Sequence, residues 1–72
     1  MMGVRVDPKE IFELIIKADE KLKYSTDVNM DQRRQQAIDL LVQARDAARD
    51  AGIEQLVQQA ETRLTDLGAA PA

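Results

Sequence analysis

The chain has 72 residues, of which 44% are hydrophobic, 32% charged and 3% aromatic, with ten basic against thirteen acidic side chains and a net charge of -3. One small domain is all this length accommodates, and an acidic chain offers no excess positive charge to a phosphate backbone or an anionic bilayer. Cys and His are both absent, which excludes disulfides, thiolate nucleophiles, zinc fingers, imidazole metal ligands and the usual proton shuttle at neutral pH.

Met1 to Lys9 contains no apolar stretch of signal-peptide length, and the longest apolar runs are Leu14-Ile15-Ile16 and Leu40-Leu41-Val42. Neither spans a bilayer, so the expectation is a cytoplasmic protein without a membrane partner. The first helix has a strong start: Asp7 as cap, Pro8 at the first helical position, Glu10 completing a capping box, and Val6 with Ile11 as a hydrophobic staple. Ile11, Leu14, Ile15, Ala18 and Leu22 follow the spacing of one helical face, predicting a helix from about Pro8 to about Tyr24. Glu13 with Lys17 and Asp19 with Lys23 stand four apart in the favourable orientation. Ser25, Thr26, Asp27 and Asn29 then compete for backbone hydrogen bonds and open a loop.

The second helix is predicted from near Asn29 or Met30, with Asn29 or Asp27 as cap. Met30, Ala37, Leu40, Leu41, Ala44, Ala48 and Ala51 fall on one face, where the alanines permit close approach of a neighbour. Gly52 is the expected left-handed stop, with Ile53 folding back over the last turn. The third helix carries Ile53, Leu56, Val57, Ala60, Leu64 and Leu67 on a narrow stripe and ends at Gly68. No segment alternates like a strand. The expected fold is all-α, an antiparallel three-helix bundle running up, down and up over residues 1–68, with 69–72 as a disordered tail.

Two helices carry more apolar surface than one stripe needs. Phe12 and Ile16 lie off the main face of the first helix and widen it to roughly 200°. Ile38 and Val42 do the same for the second. Two readings remain open: these four residues close a compact core by packing on one another, or they form an exposed groove that binds a second copy or a partner's helix.

The remaining motifs point to little chemistry. Asp27-Val28-Asn29-Met30-Asp31 matches the opening ligands of a calcium loop, but the position that needs Gly is Gln32 and the one that needs a bidentate Glu is Ile38. Ala48 followed by Gly52-Ile53 reproduces the turn of a helix-turn-helix DNA reader, making a DNA-associated regulator the alternative function. Against it, Gln58 and Glu61 stand where that motif wants apolar residues, and the third helix is acidic. Arg33-Arg34 reads as a solvated helix surface. No pair of carboxylates converges, no Glu precedes a His, and no nucleophile has a base near it in sequence, so no catalytic residue, metal ligand, cofactor or small-molecule substrate is expected.

The stretch Ala37-Ile-Asp-Leu-Leu41-Val-Gln-Ala44 resembles the second helix of a tetratricopeptide repeat, with its small, large and small residues at that family's spacing. Leu64-Thr-Asp-Leu67-Gly68 is similar to the opening of that family's next repeat. The resemblance covers Ala37 to Gly68; there is no second copy, and the loop before the second helix is longer than the repeat allows. Three helices in this length, with Ala60-Glu61 in the third, are also similar to microtubule-interacting and trafficking domains. Either resemblance implies tetratricopeptide-like helical packing or its equivalent and a non-catalytic module that binds helices or extended peptides. The function expected from the sequence is protein-protein interaction, as a possible homodimer or with another protein, through Phe12, Ile16, Ile38 and Val42.

Overall fold

A computed structural model describes residues 7–69. It is a three-helix bundle with α1 at Pro8–Lys23, α2 at Met30–Ala51 and α3 at Glu54–Asp66, and with no strand among the described residues. Pro8 occupies the first turn of α1, where its missing N–H is not needed, and Asp7 is extended (φ -66°, ψ 149°) as a capping residue should be. The capping box does not close: Asp7 makes no side-chain hydrogen bond at the helix start, and its contribution is the carbonyl that accepts the Ile11 N–H at 3.0 Å. Val6 and its staple lie outside the described residues.

Asn29 precedes α2 but also makes no side-chain cap. Its Oδ1 instead accepts the Thr26 N–H at 2.7 Å, a local side-chain-to-backbone bond that competes with capping. The Ser25 hydroxyl donates to the Leu22 carbonyl at 2.8 Å, closing the end of α1. The loop residues thus stop one helix and shape the turn rather than cap the next.

Glycine ends both later helices by one device. Gly52 has φ 74°, with its N–H on the Arg49 carbonyl at 3.1 Å and the Ile53 N–H on the Ala48 carbonyl at 2.9 Å. Gly68 has φ 76°, with its N–H on Thr65 and the Ala69 N–H on Leu64 at 2.9 and 2.8 Å. Each pair satisfies carbonyls that the helix end would otherwise leave without a donor. Ala69 also packs against the core. Residues 70–72 lie outside the described part.

The core is built by Ile11, Ile15 and Ala18 of α1, Ala37, Leu41, Ala44 and Ala48 of α2, and Leu56, Ala60 and Leu64 of α3. Half of these are alanines, so helices approach closely but little apolar area is buried per residue. At about 1.5 Å per residue, α2 is about 33 Å long against about 24 Å for α1 and about 20 Å for α3. It outreaches both neighbours. Met30 and Ala51, expected on the buried face, are exposed because they sit at the overhanging ends of α2, and Leu40 is half-buried at its margin.

Ion pairs and polar contacts report the direction of each helix. Arg34, near the start of α2, reaches the Leu67 carbonyl at the end of α3, and Arg49 near the end of α2 pairs with Glu61 at 3.2 Å. Asp19 and Arg63, each near the C-terminal end of its helix, join α1 to α3 at 3.0 Å. Helix α2 therefore runs against both neighbours and packs on each, while α1 and α3 run the same way and touch only slightly. The pairs expected along α1 do not form: Asp19 goes to Arg63 rather than Lys23, and no ion pair joins Glu13 to Lys17. A partly buried guanidinium holds a carboxylate more firmly than a solvated lysine does.

Candidate functional site

The four residues singled out from the sequence separate into two pairs. Phe12 and Ile16 are 44% and 37% exposed, while Ile38 and Val42 are half-buried and packed against the core. Their positions around each helix explain the difference. At about 100° per residue, Phe12 and Ile16 fall on the side of α1 that carries Asp19, the partner of Arg63 on α3. By the same rule Ile38 and Val42 fall on the side of α2 that carries Arg34 and Arg49, both bonded to α3. The two edges flank α3 rather than each other, so they form no single groove.

Phe12 and Ile16 lie one turn apart and make an apolar strip along the edge of α1. The Asp19–Arg63 pair joins the two parallel helices at one level, and counting seven residues back from it reaches Phe12 on α1 and Leu56 on α3. Leu56 is the one core residue with appreciable residual exposure, at 9%. The strip thus borders the seam where α1 and α3 touch least.

Polar chemistry converges elsewhere. Lys17, Glu20, Lys21 and Tyr24 of α1 and its end face Arg33 and Leu40 of α2 across an open groove of about 460 Å³. Sequence reasoning missed it, because Lys17 and Lys21 look like solvated helix residues until α2 brings Arg33 opposite them. A smaller notch of about 190 Å³ at the α2–α3 turn, the helix-turn-helix-like segment, is lined by Ala48, Arg49, Gly52, Ile53, Glu54 and Val57. Among the described residues no three His, Cys, Asp or Glu side chains gather as a metal site, and no polar side chain is buried. No helix among them is long and apolar enough to cross a membrane.

Comparison with protein-family models, with curated proteins and with solved structures gives no match. Function is therefore read from the surface of this chain alone.

Proposed function

We propose that the protein is a non-catalytic interaction module that uses the Phe12–Ile16 edge of α1 to associate with a second copy of itself or with the helix of another protein. The observation that carries this reading is the exposure of the chain's one Phe and of Ile16, 44% and 37%, on the side of α1 next to α3, a helix it touches only slightly. An apolar strip along a helix edge is the shape that receives another helix, through side chains one turn apart. Burial of Ala37, Leu41 and Ala44, the residues that resemble a tetratricopeptide repeat, supports a domain whose small residues serve helix packing. Ile38 and Val42 join the proposal only as the flank of the opposite edge, since much of their surface is already covered.

Sedimentation equilibrium over a wide concentration range, on the wild type and on Phe12→Asp with Ile16→Asp, tests it. A wild-type dimer that the double variant abolishes while helical circular dichroism persists supports self-association. A wild-type monomer at every concentration assigns the edge to a different partner, and collapse of the helical signal in the variant returns both residues to the core.

A further inference from the structure

We infer that the groove between α1 and α2 binds a carboxylate-rich segment of a partner protein, with one apolar side chain of that segment seated against Tyr24 and Leu40. This site is distinct from the Phe12–Ile16 edge: Lys21 lies about half a turn around α1 from those residues. The two proposals therefore stand or fall separately.

Three observations converge on it. The lining holds three cations, Lys17, Lys21 and Arg33, against one carboxylate, Glu20, on a chain whose net charge is -3. None of the three cations takes part in an ion pair among the described residues, a condition they share with Lys9, Lys23 and Arg34; what sets them apart is that they line one groove together. Unpaired cations facing one another across a groove repel, and an anion between them removes that repulsion.

Arg33 supplies the second observation. It is the fourth residue of α2, within the first turn, where the helix dipole is positive and a cation is unfavourable. Asp31 in the same turn follows the rule. Its neighbour Arg34 breaks the rule for a structural reason, since it hydrogen-bonds the Leu67 carbonyl at the end of α3. The Arg33 side chain has no such partner among the described residues and lines the groove. Arg33 thus opposes its own helix with no intramolecular contact to offset the cost, and an anionic ligand in the groove would supply that offset.

The third observation selects the occupant. Tyr24 is 62% exposed, with the Lys23 ammonium 5.5 Å from its ring centre, and shares the groove with the half-buried Leu40. A concave site with cations around an apolar floor fits acidic side chains flanking an apolar one; a bare inorganic anion would leave Tyr24 and Leu40 unused.

The chain's single Tyr and absence of Trp make Tyr24 emission a direct probe of the groove. The peptide acetyl-Glu-Asp-Leu-Glu-Asp-amide is titrated into the full chain at low salt. A saturable change in Tyr24 emission is expected, lost with a peptide carrying Lys at every acidic position and weakened about tenfold by Lys17→Gln with Lys21→Gln. Raising ionic strength from about 0.02 to about 0.2 M should weaken it several-fold, because the contacts are solvent-exposed. Arg33→Gln gives the separating readout: binding weakens while the melting temperature holds or rises, where a structural role for Arg33 would lower it. No saturable change, equal response to the basic peptide, or indifference to all three substitutions overturns the proposal. So does a stronger response to inorganic phosphate or to phosphatidylserine vesicles than to the peptide, which would make the site a general anion or lipid-headgroup site. Provided its helical signal persists, the Phe12→Asp and Ile16→Asp variant should bind the peptide as the wild type does; the titration of the wild type is independent of the edge proposal in either case.

Discussion

The Asp19 carboxylate accepts the Arg63 Nε–H through both oxygens, at 3.0 and 3.2 Å, and joins two helices that otherwise scarcely touch. Arg63 also donates from Nη1 to the Gln59 carbonyl at 3.3 Å, so the guanidinium is braced by its own helix before it reaches across. One side chain therefore aligns α3 beside α1 while α2 provides nearly all the apolar packing. The exposure of Phe12 and Ile16 on this side of α1 accords with that division, since α3 makes little contact with α1.

Because the pair is partly solvent-exposed, with side-chain exposures of 32% for Arg63 and 42% for Asp19, its coupling should be modest. A double-mutant cycle on Asp19→Ala and Arg63→Ala, followed by urea unfolding, should give a coupling of about 0.5–1 kcal/mol. A larger share should disappear at high salt than for the apolar core variants. A coupling indistinguishable from zero would leave the α1–α3 register to be set by apolar contacts alone.

What the sequence made legible were the local events. Pro8, Gly52 and Gly68 announce helix boundaries because a missing N–H and a left-handed backbone are properties of one residue, and the stripes led by Ile11, Leu41 and Leu64 follow from periodicity. Partners distant in sequence were not legible. Asp19 has Lys23 four residues away and Arg63 forty-four away, and only the packed fold shows the second to be the one engaged. The candidate site divides the same way: Phe12, Ile16, Ile38 and Val42 share one off-stripe pattern, yet the side on which α3 lies leaves the first two exposed and covers much of the others.

Gly52→Ala should destabilise the domain by about 1–2 kcal/mol, entirely through the backbone. A Cβ at Gly52 would meet nothing within 4 Å, so the strain comes from the φ of 74° and not from a clash. The urea midpoint should fall with the slope unchanged, and Gly52→Asn should fall less, since Asn tolerates the left-handed region better. Equal losses for both would show that the turn reorganises instead.

Arg34 contributes through the end of α3. Its guanidinium donates to the Leu67 carbonyl, the place where a helix terminus carries partial negative charge and lacks donors. Arg34→Ala should cost about 1 kcal/mol by chemical denaturation, and Arg34→Lys should recover only part of it because a single ammonium reproduces neither the reach nor the planarity. Amide hydrogen exchange should quicken first in the last turn of α3, before α1 is affected. Uniform acceleration throughout the chain would contradict a local role.

The alanines of α2 set the spacing of the bundle, and the decisive experiment is to enlarge and to shrink the same core. Ala44 is fully buried on the face of α2 between its neighbours, with no room implied for three further carbons. Ala44→Leu should push the helices apart and cost about 1–3 kcal/mol. Leu41→Ala, also from a fully buried position, should cost about 2–5 kcal/mol through lost transfer energy and an unfilled cavity. A domain of this size has little stability in reserve, because only about 60% of its unfolded surface becomes buried. Thermal unfolding by circular dichroism should therefore show Leu41→Ala largely unfolded near room temperature and Ala44→Leu folded with a depressed midpoint. If wild-type association through the Phe12–Ile16 edge stabilises the fold, raising protein concentration should recover part of the Ala44→Leu loss by mass action; a midpoint independent of concentration would separate folding from association.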